Sequence, residues 1–124
     1  MIRGIGTELI DLDQVSEAAA PGALHLADIF TENEIEYCES KARKAQHYAA
    51  RLAAKRAVLK AFGRAGHDNL AWREIEIKSD QGGEPRVVPH GRVKELFESH
   101  GIKQACLSLS HTKHCAVALI ILEG

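Results

Sequence analysis

The sequence predicts an α+β domain in which a mostly antiparallel sheet packs on one long helix. Three observations lead there. Apolar residues recur at strand period near both ends, over residues 2–12 and 104–122. A helical pattern fills the middle as far as Phe62. Between helix and C-terminal strands, Asp80-Gln81-Gly82-Gly83 supplies turn chemistry for a hairpin. The resulting order is β-α-α-β-β-α-β-β, which indicates an α+β domain with a largely antiparallel sheet.

Each element has its own signal. Residues 2–12 read as a strand through Ile5, Leu9, Ile10 and Leu12, and Gly4 and Gly6 near its start mark a bulge or a close approach by another backbone or a ligand. Pro21-Gly22 breaks the chain. Thr31 with Glu34 three residues later fits a capping box, so a helix starts there and runs, with a break near residues 39–42, to Phe62. Gly63 is its stop, with Lys60 and Arg64 at the negative end of the dipole. Residues 74–78 alternate as a half-exposed strand, and Arg86-Val87-Val88 returns beside it. Residues 93–100 form a short helix ended by Gly101, and two strands flank Ser110-His111-Thr112-Lys113.

Composition narrows the class. A chain of 124 residues suits a single domain, 1–124, with a modest core. Its 16 basic and 17 acidic residues nearly cancel, which gives no global field for nucleic acid or membrane. Three cysteines without a CxxC spacing favour reduced thiols, and Cys106 and Cys115, in apolar runs, are expected to be buried. The first residues show no signal pattern and no run is long enough to span a bilayer, so a cytoplasmic address is expected.

The candidate chemistry centres on the helix. Arg51, Lys55, Arg56, Lys60 and Arg64 fall within four turns, with few carboxylates over residues 46–65. Like charges four apart repel unless an anion lies between them, so a solvated face competes with a site for a nucleotide phosphate. Arg56 shares a face with Leu52 and Leu59, where a guanidinium needs an anionic partner or a ligand. Glu8, beside Leu9 and Ile10, is a natural partner, while Asp11 falls on the opposite strand face. Ser108-Leu109-Ser110-His111-Thr112 places hydroxyls and a histidine at a strand end without a hydrolase elbow. The HxxH of His111 and His114 lacks further ligands at matching spacing.

Together, these segments resemble the short, single-domain 4'-phosphopantetheinyl transferases, the holo-acyl-carrier-protein synthases. Gly4-Ile5-Gly6-Thr7-Glu8-Leu9 looks like the signature G-I-G-x-D-I/L, and Phe30-Thr31 with Glu34 like F-T-x-x-E. Arg51-Leu52-Ala53-Ala54-Lys55-Arg56-Ala57 with Lys60 and Gly63 looks like R-F/W-A-A-K-E-A-x-x-K-A-x-G. Gly83-Glu84-Pro85 and Ser108-Leu109-Ser110-His111-Thr112 match the remaining motifs, G-x-P and S-x-S-H-T.

The resemblance implies a 4'-phosphopantetheinyl transferase-like fold and transfer of the 4'-phosphopantetheine arm of coenzyme A to a serine of an apo acyl carrier protein. Adenosine 3',5'-bisphosphate would leave. It implies a magnesium ion held at Glu8, with Glu8, Lys55, Arg56 and Lys60 as catalytic positions. Lys55 and Lys60 would contact the pyrophosphate. Arg51, Gly63, Pro85, Ser110, His111 and Thr112 would bind the coenzyme, partly across the interfaces of a homotrimer. Two departures fall on the metal ligands: Glu8 stands for aspartate and Arg56 for glutamate. Arg56 would then pair with Glu8 and stand in for the ion, or Glu8 would hold a more hydrated magnesium. The alternative is a catalytically degenerate coenzyme A-binding or scaffold protein. A Glu8 tied to a cation is a poor base, which leaves water or the substrate phosphate to take the serine proton. Asp13-Gln14 replaces a basic residue of the family, and Lys41, Arg43 and Lys44 remain as a basic surface for an acidic carrier.

Overall fold

A computed structural model describes residues 1–13, 26–63, 72–80 and 82–124. Gln14, Pro21-Gly22, Arg64 and Gln81, on which parts of the sequence reading fall, lie outside the described residues. The chain forms β1 (Ile2–Asp11), α1 (Leu26–Ile29), α2 (Glu32–Glu39), α3 (Lys44–Ala61), a 3₁₀ turn (Trp72–Glu74), β2 (Ile75–Ser79) and β3 (Pro85–Pro89). It continues with α4 (Gly91–Ser99), β4 (Gln104–His111) and β5 (Cys115–Glu123). One sheet has the order β1-β5-β4 and the second pairs β2 with β3, all antiparallel. The expected α+β architecture is therefore present, with the strands divided between two sheets and α1 and the 3₁₀ turn added.

Local chemistry explains the boundaries. At the start of α2, Thr31 Oγ1 accepts from the Glu34 N–H at 3.2 Å while Glu34 Oε1 accepts from the Thr31 N–H at 2.9 Å, the reciprocal capping box read from sequence. Gly63 follows α3 at φ 72° and Gly101 follows α4 at φ 65°, a left-handed conformation that costs glycine little.

The long helix α3 lies directly on the three-stranded sheet. Its sheet face is small: Ala49, Ala50, Ala53, Ala54 and Ala57 are buried, as is Val58. The sheet answers with Ile10, Ala116, Ala118, Ile120 and Leu122. A Cβ on Gly6 would lie 2.0 Å from the Ala57 carbonyl oxygen, and one on Gly4 would lie 2.2 Å from that of Ala61. The two glycines therefore serve a close backbone approach between β1 and α3. That approach fixes which β1 residues face the helix, and alternation makes Glu8 the next one after Gly4 and Gly6.

None of the described elements covers the other face of this sheet. Ile5 and Leu9 are each 55% exposed, and Val117 and Leu119 beside them are also exposed. Leu9 pairs with Val117 and Ile5 with Ile121, with Leu119 between the two pairs, so these side chains form an apolar surface around Thr7. Cys106 corrects the expectation of burial: β4 alternation turns it toward this outer face, where it is exposed, and Cys115 is half-buried. The buried thiol is Cys38, and desolvation pushes it up to about 11. No helix among the described residues is long and apolar enough to cross a membrane.

Candidate active site

Glu8 projects from β1 toward α3 and meets Lys60 there. Lys60 Nζ lies 2.9 Å from Glu8 Oε2 and donates to the Thr7 carbonyl at 3.2 Å. The ammonium keeps contact with solvent, its side chain being 43% exposed against 16% for Glu8. Ala118, the cross-strand partner of Glu8, and Leu109 beyond it leave the carboxylate as the one charged group of that sheet row. Arg56 sits one turn before Lys60, about 40° around the helix, at the half-buried margin of the apolar face.

This corrects the expected Glu8–Arg56 pair. Lys60 takes the carboxylate, and Arg56 has no ion-pair partner among the described residues. The physical reason is partial exposure. A guanidinium at the rim of α3 keeps its hydration and needs no buried anion.

Lys55 has a different fate. Its ammonium is fully buried and donates to Glu34 Oε1 at 2.8 Å, the Trp72 carbonyl at 3.0 Å and the Ile75 carbonyl at 2.5 Å. All three protons are committed. Burial pulls this ammonium below the usual lysine range, partly opposed by the charge and hydrogen bond of Glu34. Lys55, expected to contact a pyrophosphate, has its ammonium buried among protein acceptors here. Lys55 ties α3 to α2 and to the start of β2.

A second cluster forms near the start of α3. Arg51 is 3% exposed, stacks over the Tyr37 ring with 4.0 Å from Cζ to the centroid, and donates from Nη2 to Ser79 Oγ at 3.3 Å. Ser79 is the strand partner of Pro85, so two predicted coenzyme residues meet through it. Tyr37 then contacts His47, and His47 contacts His111, with ring centroids 5.7 and 5.9 Å apart. Asn33, Tyr37, Arg51, Ile77, Lys78 and Ser79 line an open pocket of about 290 Å³ there. Burial, then the charges of Arg51, His111 and Lys41, lower the pKa of His47 from its usual 6.5.

The remaining predicted residues are placed apart. His111 lies on the α3 side of β4, whereas alternation turns Ser110 to the exposed outer face. Thr112 shapes the β4–β5 connection: its hydroxyl oxygen accepts from the His114 and Cys115 N–H groups at 3.1 and 3.2 Å. Gly63 lies beyond Lys60, at the far end of α3 from Arg51. Arg51 and Lys60 are nine residues apart, roughly 14 Å along the helix axis.

Two buried carboxylates do more than their sequence pattern indicates. Glu34, expected as a cap alone, also binds Lys55 and accepts from the Ile77 N–H at 3.1 Å. Glu76 is buried in β2 and accepts from Thr31 Oγ1 at 2.6 Å and Asn33 Nδ2 at 3.4 Å, with His90 Nε2 at 3.0 Å. Its place in an alternating Glu-Ile-Glu-Ile run had suggested a solvent-facing side chain. His47 carried no motif, and its packing between Tyr37 and His111 is its only mark.

The donor set does not fit the magnesium ion that the motifs imply. The eighteen residues of α3 include no Asp or Glu. Among the described residues, Glu8 is the one carboxylate paired with Lys60, and Arg56 is a further cation one turn away. Among the described residues, no group of three or more His, Cys, Asp or Glu is arranged to hold a metal.

Residues 4–118 match the 4'-phosphopantetheinyl transferase superfamily. The holo-[acyl-carrier-protein] synthase of Geobacter sp. (strain M21) is 43% identical over 124 residues, covering 99% of each chain. The crystal structure of holo-[acyl-carrier-protein] synthase from Neisseria meningitidis superposes with a TM-score of 0.88 at 27% identity, over 100% of both chains. That from Bacillus anthracis str. Ames, in complex with CoA (3',5'-ADP), gives 0.80 at 30% identity over 99% of this chain and 97% of the other. With its glycine-spaced β1, its capped α2 and its basic α3 matched along nearly the whole length, this chain belongs to the 4'-phosphopantetheinyl transferase superfamily.

Proposed function

We propose that residues 1–124 form one phosphopantetheinyl transferase domain that moves the 4'-phosphopantetheine arm of coenzyme A to a serine of an apo acyl carrier protein. The observation that carries this reading is the Lys60 ammonium, half in solvent, anchored by Glu8 and Thr7 and flanked by Arg56. Two cations at an open helix edge suit a pyrophosphate. Relatives named holo-[acyl-carrier-protein] synthase, and a neighbour described in complex with CoA (3',5'-ADP), support the substrate pair.

In the reaction, the serine Oγ attacks the pantetheine-side phosphorus and forms a new P–O bond. The P–O bond to the bridging oxygen breaks, and its electron pair stays on adenosine 3',5'-bisphosphate. Lys60 and Arg56 stabilise the charge that develops on that leaving phosphate. Glu8 holds Lys60 in place, and the serine proton passes to water. Arg51, Pro85 and His111 supply the adenine-nucleotide end. Thr112 shapes the turn beside them, and Gly63 frees the helix end next to Lys60.

Ser110 reaches the coenzyme only across a copy-to-copy contact. The exposed apolar face of β1 and β5 supports such a contact, and a homotrimer joined there is the assembly we infer. Lys41, Arg43 and Lys44, all exposed, offer a basic edge to an acidic carrier. Three unpaired thiols suit a cytoplasmic address.

The test is the intact mass of an apo acyl carrier protein incubated with this protein and coenzyme A. One added phosphopantetheine, absent from a carrier lacking the acceptor serine, is the expected result. A second reading, coenzyme A binding without transfer, draws on Arg56 at the position of the family's glutamate. It predicts bound coenzyme and an unchanged carrier.

A further inference from the structure

We propose that this site neutralises the pyrophosphate without a divalent cation, with Arg56 and Lys60 supplying the positive charge themselves. The inference rests on the transferase reading above and concerns how the same site handles phosphate. It starts from the Glu8–Lys60 contact of 2.9 Å, which already sets a protein cation against the Glu8 carboxylate. Every other side chain facing Glu8 from the sheet row is apolar, and α3 has no carboxylate anywhere. Among the described residues, a divalent ion entering here would have one protein carboxylate, already paired with Lys60, and two cations for neighbours.

Charge balance favours the same conclusion. A site made of two carboxylates, one lysine and one divalent ion presents a net charge of about plus one to the phosphates, counting unit charges. Glu8, Lys60 and Arg56 together present the same net charge with no ion. Glu8 where the motif has aspartate and Arg56 where it has glutamate are thus compatible with one charge scheme that needs no ion. Removing a carboxylate and a divalent ion while adding a cation keeps the sum. A longer Glu8 reaches across to Lys60 and fixes it.

The geometry assigns the roles. Lys60 is anchored at two points, Glu8 and the Thr7 carbonyl, so it acts as a fixed point charge. Arg56, one turn earlier with its guanidinium uncommitted among the described residues, has a fork free to take two phosphate oxygens at once. A bidentate clamp does what a bridging ion does: it holds neighbouring oxygens and gathers their charge.

Binding of coenzyme A is measured by calorimetry in magnesium and in chelator, and bound Mn²⁺ is followed by electron paramagnetic resonance with coenzyme A present. The native protein is expected to bind coenzyme A with affinities within about twofold in the two conditions and to immobilise no Mn²⁺. Arg56→Gln is expected to weaken binding by about tenfold or more in both. Arg56→Glu is expected to weaken it in chelator and recover with the metal. Magnesium tightening the native complex about tenfold, or Arg56→Gln leaving affinity unchanged, would overturn the inference alone. Absence of coenzyme A binding in both conditions would overturn it together with the transferase reading. Arg56 is half-exposed, and circular dichroism of both variants verifies that they fold.

Discussion

Lys55 and Glu34 meet at 2.8 Å with neither side chain exposed to solvent, twenty-one residues apart in the chain. The contact joins the start of α2 to the middle of α3, and the remaining Lys55 donors hold the backbone leading into β2. Five residues on, Lys60 makes its ion pair with Glu8 at the surface. Two lysines of one helix thus separate into an interior strut and a partly solvated cation held at Glu8.

Substitution should reveal the division. Lys55→Met leaves the buried Glu34 charge unpaired and is expected to cost about 3–5 kcal/mol in urea denaturation. Lys60→Met is expected to stay within about 1 kcal/mol, because its pair is partly solvated. In carrier-modification assays the order reverses: Lys60→Met should lower turnover about 10²–10³-fold with the fold intact.

Gly6→Ala tests the backbone contact that delivers Glu8. The added Cβ would lie 2.0 Å from the Ala57 carbonyl oxygen, so β1 must move away from α3. A loss of about 3 kcal/mol or more is expected in chemical denaturation. Transfer activity should fall further than stability explains, because the Glu8–Lys60 pair depends on the same spacing.

Glu76 sets an acid dependence. Burial pushes its carboxyl up, but hydrogen bonds from Thr31, His90 and Asn33, with the Lys78 charge, outweigh this and hold it below 4.5. A folded-state pKa below the unfolded one contributes stability that is complete above pH 4.5 and lost as pH falls through the folded value. Thermal melts should therefore decline below pH 4.5 in the native protein. Glu76→Gln should start lower by about 1–3 kcal/mol and decline less steeply.

The exposed apolar sheet face should hold the copies together. Leu9→Lys with Leu119→Lys places two charges in the middle of that face. Light scattering after gel filtration is expected to show a homotrimer for the native chain and a monomer for the double variant. Transfer activity should fall with the dissociation.

Elements whose ends are set by local chemistry were legible in the sequence. Thr31 and Glu34 marked the start of α2, Gly63 and Gly101 marked two helix ends, and the turn before Pro85 marked the hairpin. Gly4 and Gly6 announced a close approach, and the helix turned out to be what approaches. The site was harder to read because its charges are sorted by tertiary partners. Lys55 and Lys60 stand about 140° apart around α3, and neither has a carboxylate near it in sequence. Nothing local says that Glu34 waits on one side and open solvent on the other. Arg56 posed the same difficulty: it reads as part of an apolar face, yet it lies at the rim of that face, and Lys60 takes the carboxylate expected for it.

The central claim is that Glu8, Lys60 and Arg56 form a working transfer site. Its most direct test is the intact mass of an apo acyl carrier protein after incubation with coenzyme A and this protein in chelator. One added phosphopantetheine, lost in Lys60→Met, is the predicted result. A carrier of unchanged mass, both in chelator and after magnesium is restored, would contradict it.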